Sequence, residues 1–125
     1  IGFLGNLRNL AERAAGEWIW FLGSGDLPNL SAIGPFMELL NESTEVVNSF
    51  IDDGDYACVA PYLGGVVFRR SRLLEAISAE TDEIWPHVSW SIDIQLRYPD
   101  SKVNKSPLMH VFDFTKYCKI ATRAG

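Results

Sequence analysis

The sequence predicts an α/β fold, and three observations lead to this prediction. An amphipathic helix pattern over residues 4–14 runs into a short apolar segment at residues 17–22, and a second apolar segment, Val66 to Phe68, is followed by the helix pattern SRLLEAI. Alternation of helices with buried strands is typical of helices packed on a sheet. Because 47% of the residues are apolar, the chain has enough material for a core between those layers.

Length and charge limit the classes of function. With 125 residues and no internal repeat, residues 1–125 are expected to form a single domain. The net charge of −5 argues against a nucleic-acid binder, since binding to phosphates requires a basic face. No stretch reaches the roughly 20 apolar residues of a membrane span. Cys58 and Cys118 lack the spacing of metal ligands, which favours two reduced thiols in a cytoplasmic protein.

The first two elements are predicted to be a helix and a strand. The helix has one apolar face, formed by Leu4, Leu7, Leu10, Ala11 and Ala14. Gly16 supplies its stop. The aromatic-rich segment at residues 17–22, bounded by Gly16 and Gly23, is predicted to be a buried strand.

Two further helices are predicted before the middle of the chain. Pro28 opens the first, over residues 29–40, because the missing N–H of proline costs nothing in a first turn. An interruption at its internal Gly-Pro pair is left open. Residues 43–51, STEVVNSFI, predict a short helix that Ser43 or Thr44 caps. Its apolar face consists of Val46, Val47, Phe50 and Ile51.

The second half of the chain is predicted to hold a turn, a strand, two helices and extended segments. Residues 52–55 are a solvated turn, because they are too few for a calcium loop and lack its later acidic ligand. Val66 to Phe68 is the strand, and Ser71 caps the helix after it. The segment DEIWPHVSWSIDIQL predicts a helix with one buried stripe, formed by Ile84, Val88, Ile92 and Leu96. KVNKSPLMHVF is predicted to be extended.

The loop after the first strand is the first candidate site. It reads Gly23-Ser24-Gly25-Asp26 and follows a strand end, where ligands of α/β sheets bind. An acid in that position can hold a divalent cation, and the glycines allow close approach of a ligand to the backbone. The same pattern is also that of a simple turn, and both interpretations stay open.

The remaining candidates are histidines and a group of arginines. His87 lies near a helix start beside Asp82 and Glu83, and imidazole suits a general base or a metal ligand, although a lone helical histidine is more often structural. His110, within an apolar extended segment, is a weaker candidate. The arginines Arg69, Arg70 and Arg72 are capable of binding phosphate, but the favoured interpretation is a solvated helix entrance that balances nearby acids.

Several stretches together resemble a known family. The segment GFLGNLRNLAERAAGEWIWFLGSGDLP, residues 2–28, is similar to the central motif of family 2 glycosyltransferases of the GT-A fold. In that motif a helix with an Asn near its start leads into A-x-G-E-(aromatic)-(apolar)-x-F-L and then an acidic loop. The abequosyltransferase-like branch is the most similar, and YLGGVVFRRSRL, WPHV and KVNKSPLMHV also resemble its later segments.

The resemblance implies an arrangement for the whole chain. It implies a mixed sheet with flanking helices, forming the C-terminal portion of a GT-A (Rossmann-like) domain whose N-terminal nucleotide-binding half is missing. Residues 1–28 would carry the acidic-loop motif, and residues 29–125 the acceptor-side portion. Such a piece is expected to expose an apolar sheet edge, and therefore to be marginally stable or to associate with itself.

The resemblance also implies roles for single residues. Asp26 matches the last acid of the acidic loop, so it would contact Mg²⁺ or Mn²⁺ or the donor diphosphate. Ser24 and Gly25 stand where that branch has acids, and neither supplies the charged oxygen that these cations prefer. Asn6 matches the Asn at the helix entry and would be a donor-side contact.

The implied activity is glycosyl transfer with inversion. A base takes the proton of an acceptor hydroxyl, and His87, or Asp82 or Glu83 instead, falls near the position of that base. The donor would be a nucleotide sugar and the acceptor a glycan or lipid-linked acceptor of surface polysaccharide synthesis. The expected place is the cytoplasm, with peripheral association at the inner face of the membrane for lipid-linked acceptors. Two alternatives stay open: a non-catalytic GT-A-like scaffold or binding module with a degenerate metal site, and an unrelated α/β domain.

Overall fold

A four-stranded sheet lies between helices that pack on both of its faces. The computed structural model describes residues 2–24, 26–49, 63–78, 85–104 and 109–111. In chain order the elements are α1 (Gly2–Arg13), β1 (Trp18–Trp20), β2 (Asp26–Pro28), α2 (Leu30–Leu39), β3 (Val46–Ser49), a 3-10 turn (Leu63–Gly65), β4 (Val66–Arg69), α3 (Arg70–Ile77), α4 (Pro86–Arg97), β5 (Ser101–Asn104) and β6 (Met109–Val111).

The strand order of the sheet is β1-β4-β3-β5. β4 runs antiparallel to both β1 and β3, whereas β3 and β5 are parallel. β2 and β6 form a separate antiparallel pair. The predicted α/β class, with a mixed sheet and flanking helices, is therefore confirmed.

Apolar side chains cover both faces of the sheet. On one face, helices α1, α3 and α4 pack on Ile19, Val46 and Phe68. The buried helix residues on that face are Leu7, Ala11, Leu73, Ala76, Ile77, Trp90 and Ile94. On the other face, Phe36 of α2 packs against Val47. Since successive side chains of a strand point to opposite faces, neighbouring valines of β3 serve both layers.

The predicted third helix is wrong, because residues 46–49 form the strand β3. Val46 and Val47 are both fully buried, one on each face of the sheet, between β4 and β5. β-Branched side chains favour a strand that is covered on both faces, and this placement overrides the helical spacing of the apolar residues. The other apolar residues of that predicted helix, Phe50 and Ile51, and the predicted turn at residues 52–55 lie outside the described residues.

Two predicted helix starts are shifted. Pro28 ends β2 instead of opening a helix, and α2 begins after Asn29. Pro35 lies inside α2, which continues to Leu39, so the Gly-Pro pair does not end the helix. In the second half, Arg69 rather than Ser71 is the N-cap of α3, and it makes no side-chain capping bond.

The predicted buried stripe of the last helix is also wrong. Ile92 is 54% exposed and Leu96 is 80% exposed, whereas Trp90 and Ile94 are almost completely buried. The face of α4 that packs on the core is the one that carries Trp90 and Ile94, and the indole contributes a large apolar area to it. Ile84 lies outside the described residues.

Candidate functional site

A cleft of about 450 Å³ lies between α1 and the segment that includes β1 and the loop after it. Most of its walls are apolar, with Phe3 and Leu10 on the helix side and Trp20 and Leu22 on the strand side. Concave, mostly apolar sites of this size with a few polar groups are typical of binding sites for small molecules. This cleft is therefore the candidate site.

The path of the chain explains which residues meet in the cleft. α1 and β1 are joined by a short connection at residues 14–17, so the chain reverses direction between them. The start of α1 consequently lies beside the loop that follows β1. Asn6 and Ser24, two of the residues singled out by the sequence, both line the cleft. The structure therefore brings these two residues to one cleft, and their role in binding stays a prediction.

Asp26 closes the turn at the end of this loop. Its Oδ2 accepts a hydrogen bond from the backbone N–H of Gly23 at 2.6 Å, and its own N–H donates to the Gly23 carbonyl at 3.1 Å. A Cβ atom at position 23 would lie 3.3 Å from that carboxylate oxygen, so glycine suits the close approach. Gly23 lines the cleft, and Asp26 therefore shapes its wall through the turn. Gly25 lies outside the described residues.

The small sheet brings the end of the described chain to the same loop. Asp26 lies opposite Val111, and Leu27 lies opposite His110. His110, the weaker histidine candidate, therefore lies on the paired strand, one position from the residue opposite Asp26. Nothing in the sequence pattern indicated this pairing, because Leu27 and His110 are 83 positions apart in the chain.

His87 lies behind the wall of the cleft. It is 1% exposed, and its ring packs edge-on against Phe3 at 6.2 Å and Trp85 at 5.9 Å between centroids. Phe3 lines the cleft, so it separates the imidazole from the open space. At 1% exposure, the imidazole is not accessible to a substrate in this conformation. Asp82 and Glu83, the alternative bases, lie outside the described residues.

The arginine group takes part in an ion-pair network. Arg69 pairs with Glu17 at 2.6 Å and with Glu45 at 3.2 Å, and its guanidinium lies 4.6 Å from the centre of the Trp18 ring. The predicted balancing of nearby acids is confirmed for this residue, but its side chain is only 12% exposed, so it is not a solvated charge. The network lies at the start of β1, at the opposite end from the Asp26 turn.

A second arginine extends this network to α4. Arg72 pairs with Glu45 and with Glu75, each at 3.0 Å, and lies over the Tyr98 ring at 3.7 Å. Burial acts to lower the pKa of Arg72, but the hydrogen bond and the charge of Glu45 outweigh it and raise the pKa. A hydrogen bond from the Tyr98 hydroxyl to Glu75 raises the pKa of Tyr98, and desolvation adds to this. Sequence reasoning missed Glu45 and Tyr98.

The donor set at the turn does not fit a divalent cation by itself. Asp26 supplies one carboxylate, and its Oδ2 already accepts the Gly23 N–H. Within the described ranges no group of three or more His, Cys, Asp or Glu side chains is placed to hold a metal ion. Hard cations require several charged oxygen ligands. Among the described residues, the Mg²⁺ or Mn²⁺ site implied by the resemblance therefore lacks the further charged ligands that it requires.

No family model matches the chain, and no curated protein matches it. None of the helices in the part of the chain that the structure describes is long and apolar enough to cross a membrane.

Proposed function

We propose that this chain belongs to an inverting glycosyltransferase that moves a sugar from a nucleotide-sugar donor to a glycan or lipid-linked acceptor in surface polysaccharide synthesis. The observation that carries the proposal is that Asn6, Ser24 and Gly23, to which Asp26 is hydrogen-bonded, line the same apolar cleft. These are the residues that match the glycosyltransferase motif in residues 2–28. A mixed α/β sheet with flanking helices is compatible with this assignment.

The cleft offers suitable chemistry for a sugar ligand. The exposed side chains of Phe3 and Leu22 provide apolar surface for the carbon faces of a sugar ring. The Asn6 amide and the Ser24 hydroxyl provide hydrogen bonds for its hydroxyls or for a diphosphate. We assign the donor to the part of the cleft that Asn6 and Ser24 line.

The reaction requires a base and a means of stabilising the leaving group. The base removes the proton of the acceptor hydroxyl, whose oxygen attacks the anomeric carbon as the bond to the diphosphate oxygen breaks. Because His87 is buried behind Phe3, we assign this role first to Asp82 or Glu83 and only then to His87. Since the turn does not fit a metal ion, we assign no step to one; hydrogen-bond donors such as Asn6 would face the departing diphosphate.

One observation favours a second candidate, a non-catalytic scaffold or binding module of the same fold. The only carboxylate that the loop motif retains, Asp26, is engaged in holding the turn through Gly23. Ser24 and Gly25 occupy the positions of the other acids in the motif. A cleft with this loop is able to bind a sugar without transferring it.

Calorimetric titration of the chain with a panel of nucleoside diphosphates and nucleotide sugars, with and without Mn²⁺, tests the proposal. Asp26→Asn removes the charge but keeps an oxygen that accepts the Gly23 N–H, whereas Asp26→Ala removes both. If Asp26 contacts the diphosphate or a cation, both variants lose binding. If it serves only the turn, Asp26→Asn binds like the wild type and Asp26→Ala is weakened.

Glu38→Gln, on the exposed surface of α2, is the matched control for loss of one negative charge. Binding of a nucleotide sugar that depends on Asp26 and is followed by release of the nucleotide supports the glycosyltransferase. Binding without release of the nucleotide supports the binding module. Absence of any binding by the folded chain contradicts both.

A further inference from the structure

We propose that Trp20 is a positioning residue for the cleft, because its indole N–H holds the 3-10 turn (Leu63–Gly65) whose first side chain lines the cleft. Trp20 Nε1 donates a hydrogen bond to the Gly64 carbonyl at 2.9 Å, across 44 positions of the chain. Leu63, the neighbour of Gly64, contributes its side chain to the cleft. This inference rests on the proposed function, since it takes the cleft as the site of the ligand.

The indole acts from the face of the sheet opposite to α1. Trp20 packs with Phe36 of α2 and with Val47, whereas its neighbour Ile19 belongs to the core under α1. This arrangement follows from the alternation of side chains along a strand. Leu63 packs against the same core as Ile19. The indole and the Leu63 side chain therefore lie on opposite faces of the sheet, and the Gly64 peptide connects them.

The pairing of β1 with β4 brings the turn beside the candidate loop. The two strands are antiparallel, and Trp20 lies opposite Val67. The chain that leaves β1 towards Gly23 consequently runs beside the chain that enters β4 from Gly64. Gly23 and Leu63 both line the cleft, in agreement with this path. The Trp20 bond thus fixes a backbone segment next to the loop, and not a distant part of the fold.

Loss of the indole N–H is expected to move this segment. Gly64 is buried, so its carbonyl depends on partners within the protein. Removal of one partner of a buried hydrogen bond leaves the other group short of a partner that water cannot easily replace. We therefore expect the turn to shift when Trp20 loses its donor, and the Leu63 side chain to shift with it.

Nuclear magnetic resonance of the full chain tests whether Trp20 holds the turn. Trp20→Phe removes the N–H and keeps an aromatic ring on the α2 face. Trp18→Phe is the matched control, because Trp18 packs on the same face but lies over Arg69 at the other end of β1. We expect the Leu63 methyl and Gly64 amide resonances to move in Trp20→Phe and to stay in place in Trp18→Phe.

Calorimetric titration tests whether the effect reaches the ligand. The probe is the nucleotide sugar that the wild type binds most tightly among those of the panel. We expect Trp20→Phe to lower the affinity by about tenfold, the effect of one hydrogen bond, and Trp18→Phe to leave it unchanged. In a Leu63→Ala background, Trp20→Phe should lower the affinity by less than about twofold, because residues that act through one another are not additive. Direct contact between the indole and the sugar would instead give losses that add.

The Trp20 indole of the wild type supplies a test that needs no variant. It decides the question if Trp20→Phe fails to fold, as judged by circular dichroism. We expect the Trp20 indole N–H to exchange with solvent at least about tenfold more slowly than that of free tryptophan. Its resonance should move together with the Leu63 methyl resonances when the nucleotide sugar is added.

Three results would overturn the proposal. The first is a folded Trp20→Phe variant with unchanged Leu63 resonances. The second is a pair of affinity losses that add in the double variant, and the third is an indole N–H that exchanges as fast as in free tryptophan. A wild type that binds no nucleotide sugar contradicts the proposed function instead. The Leu63 and Gly64 resonances then decide alone whether Trp20 holds this wall of the cleft.

Discussion

The guanidinium of Arg69 and the carboxylate of Glu45 form an ion pair at 3.2 Å, with only 12% and 10% of the two side chains exposed. The same carboxylate oxygen of Glu45 also pairs with Arg72 at 3.0 Å. One acid before β3 thus joins the end of β4 to the first turn of α3. The network fixes the end of the sheet opposite to the Asp26 turn, so it acts on the framework of the cleft and not on its ligand.

Loss of the Glu45 carboxylate is expected to destabilise the fold strongly. Glu45→Ala leaves two partly buried guanidinium groups without this partner, and removal of one member of a buried ion pair costs about 3–5 kcal/mol. Glu45→Gln, which keeps an acceptor oxygen, should cost less. Urea unfolding followed by fluorescence measures both, with Glu38→Ala on the exposed surface of α2 as the control. A loss below about 1 kcal/mol for Glu45→Ala would contradict a structural role of the network.

The Tyr98 hydroxyl is expected to make stability depend on alkaline pH. The hydrogen bond to Glu75 raises the pKa of Tyr98 above its ordinary value of 10.0. A raised pKa in the folded state means that this contribution is complete below pH 10 and is lost as the pH rises through the folded-state pKa. The melting temperature should therefore fall between pH 10 and pH 12 by more in the wild type than in Tyr98→Phe.

The Tyr98→Phe variant is the appropriate comparison because it keeps the ring that lies 3.7 Å from the Arg72 guanidinium. Absorbance titration of the tyrosinates in the two proteins then isolates the Tyr98 ionisation. Identical loss of stability with pH in wild type and variant would show that the Glu75 hydrogen bond has no such effect.

Local sequence patterns were sufficient for the elements that form between neighbours in the chain. Residues within a single stretch are sufficient to predict α1, β1 and the reversal of the chain between them at Gly16. The same stretch brings Asn6 and Ser24 to one cleft. A simple turn was one of the two interpretations of the Asp26 loop. The hydrogen bond from the Gly23 N–H to the Asp26 carboxylate supports it.

Contacts between distant parts of the chain determine the features that the local sequence patterns did not predict. Residues 43–51 have a helical spacing of apolar residues, but pairing of Val47 with Val67 and with Lys102 makes their centre a strand. Glu45 joins the ion-pair network only because α3 and β4 fold against it. Such partners are twenty or more residues away, and a single sequence carries no periodic signal for them.

The face of α4 that packs on the core can be tested directly. Trp90→Ala should cost about 3–5 kcal/mol, because Trp90 is 1% exposed and its removal leaves a large cavity. Leu96→Ala should change the free energy of unfolding by about 0.5 kcal/mol or less, because Leu96 is 80% exposed. Urea unfolding of both variants measures the difference. A larger loss of free energy of unfolding for Leu96→Ala than for Trp90→Ala would contradict this packing and would favour the buried face that the sequence predicted.

The position of His87 leads to the last prediction, which separates packing from catalysis. His87→Phe places a ring of similar size between Phe3 and Trp85, so we expect a folded protein that loses at most about 2 kcal/mol. Since Phe3 shields the imidazole from the cleft, release of nucleotide from nucleotide sugars should continue in this variant. Asp82→Asn or Glu83→Gln should abolish it if either acid is the base. A folded His87→Phe variant without turnover would instead assign the base to His87, and would require Phe3 or Trp85 to move when substrate binds.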